Sequence, residues 1–196
     1  MLWAKQYINE NGGCPEMQFA DFVATGFNQV VNNIAKLYYR WQQNVDVVIR
    51  MPTGGNVNAG PFHSQTNEAW FFHTPGLKIV YPSNPIDAKG LLISAIDDPN
   101  PVLFFEHKFL YRSTSDEVPE GEYHIPIGKA QLIREGEGLA IITYGLGVIW
   151  AKDYIEAHPD LSIAILDLRT LSPLDYEAIE SITKQTGKVL VLHEDT

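Results

Sequence analysis

The sequence predicts an α/β fold in which buried strands alternate with helices of roughly ten residues. Apolar and β-branched runs of strand length recur along the chain. Most of these runs are followed by segments whose apolar residues repeat every three or four positions, which is typical of amphipathic helices. The chain has 196 residues, of which 45% are hydrophobic and 19% charged. A chain of this length and composition can bury a core without disulfides.

In the first half of the chain, a strand over residues 16–19 precedes an amphipathic helix over residues 22–41, whose apolar side chains include Val23, Val30 and Ile34. The elements predicted next are a strand over 45–51, a loop over 52–65, a helical stretch over 68–73 and a strand over 77–81. A helix then has Pro85 in its first turn and continues over 87–96, and a strand follows over 102–105. The loop is rich in Gly, Asn and Pro, and a loop of this length in a compact domain is usually functional.

Residues 107–126, which include Pro119 and Gly121, are predicted to form an irregular linker. This linker divides the chain into a unit over 1–125 and a unit over 126–196. In the second unit we expect strands over 129–133, 139–143, 163–168 and 188–193, and helices over 148–157 and 175–186. This alternation predicts a parallel sheet. No covering helix follows the last strand, so we expect the chain to be a piece of a longer protein.

Charge and composition argue against several kinds of partner. The chain has 14 Lys+Arg against 24 Asp+Glu, a formal net charge of −10. Binding to nucleic acid or to an anionic membrane surface needs clustered cations, so neither partner is expected. No apolar run reaches the length of a membrane span, and the amino terminus lacks a signal-peptide core. The single cysteine, Cys14, cannot form an internal disulfide, which favours a reducing compartment.

His63 is the leading candidate for chemistry, because it lies in the Gly-rich loop and can serve as acid, base or hydrogen-bond donor. A solvated loop histidine is the alternative. Ser64 is adjacent, but the chain has no GxSxG motif, which disfavours a Ser-His-Asp hydrolase. Phe19 and Phe22 flank Asp21, and they indicate either core packing or a stacking platform for a flat ligand ring.

Other motifs favour structural interpretations. Gly145 and Gly147 follow a strand, but Trp150 occupies the place of the third glycine of a dinucleotide fingerprint. A tight strand-to-helix turn is therefore expected there. The chain has no phosphate-binding P-loop motif and no Cys/His spacing for zinc. Cys14 has no activating neighbour and is expected to be inert.

An ordered series of motifs resembles the beta subunits of the thiamine-diphosphate-dependent 2-oxo acid dehydrogenases, a family that includes pyruvate and branched-chain enzymes. The motifs are EMQFADF at 16–22, NQVVN at 28–32, RMPTGG at 50–55, HSQ at 63–65, PGLK at 75–78, PSNP at 82–85, NPV at 100–102, PIGKA at 126–130 and DLRTLSPLD at 167–175. The resemblance spans residues 16–194 and leans towards the branched-chain type.

The resemblance implies a parallel-sheet pyrimidine-binding domain of the thiamine-diphosphate fold up to about residue 125, followed by a partial transketolase C-terminal-type α/β domain. The implied activity is oxidative decarboxylation of a 2-oxo acid on thiamine diphosphate, with acyl transfer to the lipoyl arm of an acyltransferase. The beta-type chain would hold the aminopyrimidine ring, while an alpha-type subunit or domain holds Mg²⁺ and the diphosphate. The lack of a Gly-Asp-Gly motif in this chain fits that division, and the family implies a second beta-type chain in an α2β2-like assembly.

By the same resemblance, Phe22, with Phe19 beside it, packs on the aminopyrimidine, and His63 is the active-site histidine that hydrogen-bonds the substrate and assists proton transfer to the lipoyl sulfur. Some members bind K⁺ through backbone carbonyls, and the matching positions here are Val45, Val47, Val48, Ala95, Asp98 and Asn100. The family's catalytic glutamate lies upstream of the QFADF segment, and neither Glu10 nor Glu16 has its spacing.

These implications leave three hypotheses open. The chain is the beta-type part of a 2-oxo acid dehydrogenase and is inactive as this piece alone, or it is a truncated relic that only pairs with an alpha-type partner. A transketolase-type enzyme is the third, disfavoured because the loop around His63 offers no basic residues for a sugar phosphate. The expected compartment is the cytoplasm of a bacterium or the mitochondrial matrix of a eukaryote.

Overall fold

A computed structural model of the chain describes Glu10 and residues 16–194. Within these residues no helix is long and apolar enough to cross a membrane. The strands are β1 (Val48–Thr53), β2 (Lys78–Val80), β3 (Val102–His107), β4 (Gln131–Arg134), β5 (Leu139–Thr143), β6 (Ile163–Asp167), β7 (Thr170–Ser172) and β8 (Val189–Val191). The α-helices are α1 (Ala35–Trp41), α2 (Ala69–Phe72), α3 (Pro85–Ile96), α4 (Leu110–Ser113), α5 (Leu146–Ala157) and α6 (Tyr176–Thr186). The predicted α/β class with parallel strand pairs is confirmed.

The first sheet has the order β1-β3-β2-β7. β1 and β3 are parallel and in register from Val48 opposite Val102 to Thr53 opposite His107. Every residue of β3 is buried, as expected of a strand covered on both faces of a parallel sheet. The carboxyl ends of β1 and β3 therefore lie side by side and deliver the loops that follow them to one edge of the sheet.

The second sheet has the order β4-β6-β5-β8. β5 pairs in parallel with both β6 and β8, but β4 is antiparallel to β6. The expectation of a purely parallel second sheet is therefore wrong at the β4 edge. One hydrophobic cluster joins the two sheets, since it includes Ile49 and Phe105 from the first and Ala140 and Leu166 from the second.

The predicted helix over residues 22–41 is helical throughout but begins earlier and is not uniform. A 3₁₀ segment (Ala20–Gly26) leads through a π-helical segment (Gln29–Ile34) into α1, which ends at Gln42 in the left-handed conformation. The predicted strand over 16–19 is wrong, because only Glu16 forms a bridge, to Arg50. The 3₁₀ turn at Ala20 ends the extended backbone before a ladder can form.

Two further features were not expected. The predicted linker over 107–126 contains the short helix α4 and is otherwise irregular. β7, which lies in the second half of the chain, pairs with β2 and completes the first sheet. This strand is only three residues long, so its pattern does not stand out in the sequence.

Buried polar contacts link the start of α3 to the β6–β7 turn. The Asn84 side chain caps α3 by accepting from the Asp87 N–H at 2.8 Å, with Pro85 in the first turn as predicted. The Arg169 guanidinium holds both carboxylate oxygens of Asp87, at 2.8 and 2.6 Å. Ser83 donates to the buried Asp167 carboxylate in the same turn.

Candidate functional site

The candidate site lies at the carboxyl edge of the first sheet, where ligands of open α/β sheets usually bind. The Gly-rich loop that follows β1 carries His63, and Lys108 directly follows β3. The 3₁₀ segment brings Phe19 and Phe22 to the same edge. Segments distant in sequence therefore meet because β1 and β3 are parallel neighbours.

Three residues singled out from the sequence lie together here. The His63 ring packs edge-on against Phe22, with 5.4 Å between ring centroids and planes at 74°. It is also edge-on to Phe19, at 5.8 Å and 79°. Phe22 remains 43% exposed, so an apolar ring next to a titratable one is left accessible to a ligand.

The backbone around His63 is held by contacts from several elements. The Gln65 N–H donates to Asp21 Oδ1 at 3.0 Å, and the Gln65 carbonyl accepts from the Gly54 N–H and the Thr53 hydroxyl at 3.0 and 2.8 Å. The Lys108 ammonium donates to the His63 carbonyl oxygen at 2.6 Å. The loop is thus tied to the sheet edge at His63 itself and at Gln65, two residues later.

Sequence reasoning missed Lys108, although it follows directly after a buried strand. Its ammonium group also lies 4.6 Å from the centre of the Phe19 ring. Burial lowers the pKa of Lys108, while the charges of Asp21 and Glu194 act in the opposite direction. A cation of this kind is expected to stabilise polar groups beside it more strongly than a solvated lysine would.

Glu194 and His107 were missed as well. Glu194 Oε2 lies 2.6 Å from the fully buried His107 Nε2, and Oε1 accepts from the Gly55 N–H at 3.1 Å. Burial favours the neutral acid, but the hydrogen bonds from His107 and Gly55 outweigh it, so the pKa of Glu194 lies below its ordinary value. Gly54 has φ +86°, and a Cβ there would lie 2.1 Å from His107 Nε2.

A cavity of about 560 Å³ adjoins these groups. Its lining combines aromatic and apolar residues with cations: Phe19, Val57, Ala59, Lys108, Phe109 and Arg112 are among them. Asp21, whose Oδ1 holds the loop, has a second carboxylate oxygen that is buried and has no hydrogen-bond partner among the described residues. This cavity shares Phe19 and Lys108 with the surroundings of His63, and its mixture of apolar and polar groups is typical of ligand sites.

The positions matched to a K⁺ site fall in two segments that pack together. The Val45 N–H donates to the Pro99 carbonyl at 3.1 Å, and the Val102 N–H donates to the Val47 carbonyl at 2.9 Å. The Val45 carbonyl also accepts from the Val47 N–H at 2.9 Å. Val48 lies in β1, and Ala95 in the last turn of α3. The Asp98 carboxylate pairs with Lys78 and accepts from the Asn100 N–H at 2.9 Å.

Two other sequence interpretations bear on the site. The segment 144–147 is the tight strand-to-helix turn expected, since β5 ends at Thr143 and α5 begins at Leu146. Gly145 has φ +54°, and a Cβ there would lie 2.5 Å from the Tyr81 ring, so a side chain is excluded. Cys14 lies outside the described residues.

This fold is that of a transketolase-like pyrimidine-binding domain followed by a second α/β domain. Residues 12–114 match the family described as the transketolase pyrimidine-binding domain, and residues 128–196 match the transketolase C-terminal domain. The chain belongs to the transketolase pyrimidine-binding domain family, and the family resemblance predicted from the motif series is confirmed.

Among curated proteins, the chain is 49% identical to the 2-oxoisovalerate dehydrogenase subunit beta of Bacillus subtilis, over 92% of this chain and 57% of that protein. It is 42% identical to the pyruvate dehydrogenase E1 component subunit beta of Acholeplasma laidlawii, over 91% of this chain and 56% of that protein. The chain thus spans little more than half the length of these relatives.

A solved structure described as a split gene transketolase, an inactive beta4 tetramer, matches with a TM-score of 0.75. The match covers 99% of this chain and 62% of that one. The two sequences are 20% identical, so this likeness supports the fold alone.

Proposed function

We propose that this chain is the beta-type part of a 2-oxo acid dehydrogenase, in which it binds the aminopyrimidine ring of thiamine diphosphate beside the reacting carbon. The observation that carries the proposal is the His63 ring set edge-on against the exposed Phe22, in a chain 49% identical to a 2-oxoisovalerate dehydrogenase beta subunit. We also propose that the pyrimidine-binding part ends near residue 125 and that the substrate is a branched-chain 2-oxo acid.

The residues present fit this cofactor. Phe22 offers an accessible apolar ring for the flat aminopyrimidine, and Phe19 packs edge-on against the same His63 ring. When bound, thiamine diphosphate supplies the nucleophilic carbon and holds the electron pair that loss of CO₂ leaves. His63 would donate a hydrogen bond to the substrate oxygen and later pass a proton to the lipoyl sulfur.

Magnesium is assigned to an alpha-type partner. Among the described residues, the group with metal-ligand spacing is Asp97, Glu122 and His124, which is exposed at the far end of α3 rather than beside His63. An alpha-type subunit or domain, a second beta-type chain and a lipoyl acyltransferase complete the proposed assembly. The compartment proposed is the bacterial cytoplasm or, in a eukaryote, the mitochondrial matrix.

We further propose a potassium site on the carbonyls of Val45, Val47, Val48, Ala95, Asp98 and Asn100. Hard cations prefer oxygen ligands, and the carbonyls at the end of α3 carry partial negative charge. The hydrogen bonds at Val45 and Val47 each use one lone pair and leave the second for a cation.

The proposal is tested by calorimetric titration of thiamine diphosphate and Mg²⁺ into the full polypeptide that carries this sequence, assembled with its alpha-type subunit. We expect one cofactor per alpha–beta pair and no saturable binding to the beta-type chain alone. The lack of binding in the assembled pair would overturn the proposal. Binding without decarboxylation would instead favour the relic that only pairs with its partner.

A further inference from the structure

The Lys108 side chain touches both the backbone of His63 and a neighbour of its ring. Nζ donates to the His63 carbonyl oxygen at 2.6 Å and lies 4.6 Å from the centre of the Phe19 ring. Phe19 is itself edge-on to the imidazole. The Lys108 N–H also donates to the Thr53 carbonyl at 2.9 Å, which ties this residue to the end of β1.

Lys108 is an unusual lysine because it is only 8% exposed. Lysine normally extends its ammonium group into water, and burying that charge is costly unless it is compensated. Among the described residues, the hydrogen-bond acceptor of Nζ is the His63 carbonyl, while Asp21 and Glu194 act through their charge. Folding therefore buries the Lys108 charge, at a cost in free energy, at the point where the His63 loop meets the sheet.

A second anchor follows two residues later, where Asp21 Oδ1 accepts from the Gln65 N–H at 3.0 Å. The backbone is thus held at the His63 carbonyl and again at the Gln65 amide, with Ser64 between the two anchors. Because both anchors are charged groups, their hydrogen bonds are stronger than neutral ones. Rotation of the loop would break one or both of them.

We propose that Lys108 is a positioning residue that fixes the His63 backbone and the Phe19 ring, so that the imidazole faces Phe22 and the cofactor site. The importance of Lys108 for catalysis rests on the proposed function. The contact between Lys108 and the His63 carbonyl does not depend on that function. Small displacements of a catalytic group strongly reduce the rate of catalysis. A role in holding His63 in place would therefore explain why the fold buries the Lys108 ammonium group.

Lys89 provides a matched control. Its Nζ donates to the Pro119 carbonyl at 2.6 Å and lies 5.0 Å from the Tyr123 ring, so it makes the same two kinds of contact. These contacts are remote from His63. Lys108→Met and Lys89→Met therefore remove the same two kinds of contact, from a buried lysine at the candidate site and from a half-buried one elsewhere.

The test measures carbethoxylation of His63 by diethyl pyrocarbonate in the full chain, with the modified peptide followed by mass spectrometry. We expect Lys108→Met to accelerate modification of His63 about fivefold, because the loop loses a local restraint. Lys108→Arg should be modified more slowly than Lys108→Met, and Lys89→Met should be modified at close to the wild-type rate. Lys108→Gln, which keeps a donor without the charge, is the second variant. If both Lys108→Met and Lys108→Gln leave the rate as in wild type, the proposal is wrong.

A second measurement separates positioning from general stability. In the assembled complex, Lys108→Met should lower kcat about tenfold or more with little change in KM, and Lys108→Arg should restore part of it. Unchanged kcat with unchanged KM would contradict the proposal. If no complex shows activity, the proposed function fails, while the modification rates still decide whether Lys108 positions His63.

Discussion

Glu194 Oε2 lies 2.6 Å from His107 Nε2, which joins the segment after β8 to the end of β3. The His107 side chain is fully buried and that of Glu194 is 21% exposed. The other carboxylate oxygen holds the Gly55 N–H at the start of the loop that carries His63. The second half of the chain therefore takes part directly in building the candidate site on the first sheet.

Loss of this contact should destabilise the fold. Glu194→Ala leaves a buried imidazole and the Gly55 N–H without their acceptor, so we expect a loss of about 1–3 kcal/mol in the free energy of unfolding. Glu120→Ala, in an exposed loop, should change it little. Urea denaturation of the two variants checks this, and equal midpoints for both would show that the Glu194 contact contributes nothing.

The ion pair between Asp87 and Arg169 should be still more important. The Asp87 side chain is 2% exposed and that of Arg169 14%. Arg169→Met leaves a buried carboxylate uncompensated, and we expect a loss of about 3–5 kcal/mol. Lys184→Met breaks an exposed pair with Glu180 and should cost far less. Thermal unfolding of both variants provides the comparison, and similar losses in the two would refute this ranking.

Asp167 should make stability depend on pH in the direction opposite to an ordinary carboxylate. Burial raises its pKa to about 6, even though hydrogen bonds from Ser83 and the Arg169 N–H favour the charged form. The folded state thus binds the proton more tightly, and the stabilisation present below about pH 4 is lost as the pH rises through 6.

Asp167→Asn does not titrate at this position, so its free energy of unfolding should rise relative to that of the wild type by about 2 kcal/mol between pH 4 and pH 7. The measurement is the difference in the free energy of unfolding between the two proteins at each pH. The test is the pH dependence of that difference and not its size at one pH, because the amide also changes the local hydrogen bonds. A flat difference would contradict the raised pKa.

The cofactor proposal predicts a specific role for Phe22. Phe22→Leu keeps an apolar side chain but removes the ring, and we expect affinity for thiamine diphosphate in the assembled complex to fall about tenfold. Phe72→Leu is the matched control, since Phe72 is 44% exposed and is also edge-on to a histidine, His73. Equal affinities of the two variants for thiamine diphosphate would show that Phe22 is not part of the cofactor site.

Much of the fold could be predicted from sequence, because strands such as β3 and helices such as α3 have a clear apolar pattern or a cap. The antiparallel β4 and the three-residue β7 could not, since neither strand direction nor the pairing of a short strand has a local signal. His63 and Phe22 were predicted from their motifs, and the structure places their rings in contact. Lys108, His107 and Glu194 were missed because their importance arises from contacts between distant segments.

The most direct test of the central claim is release of labelled CO₂ from carboxyl-labelled 3-methyl-2-oxobutanoate. The full polypeptide carrying this sequence is assembled with its alpha-type subunit and assayed with and without thiamine diphosphate and Mg²⁺. We expect release that requires the cofactor and both chains, and none from this 196-residue piece alone. A complex that binds the cofactor yet releases no CO₂ from this substrate or from pyruvate would contradict it.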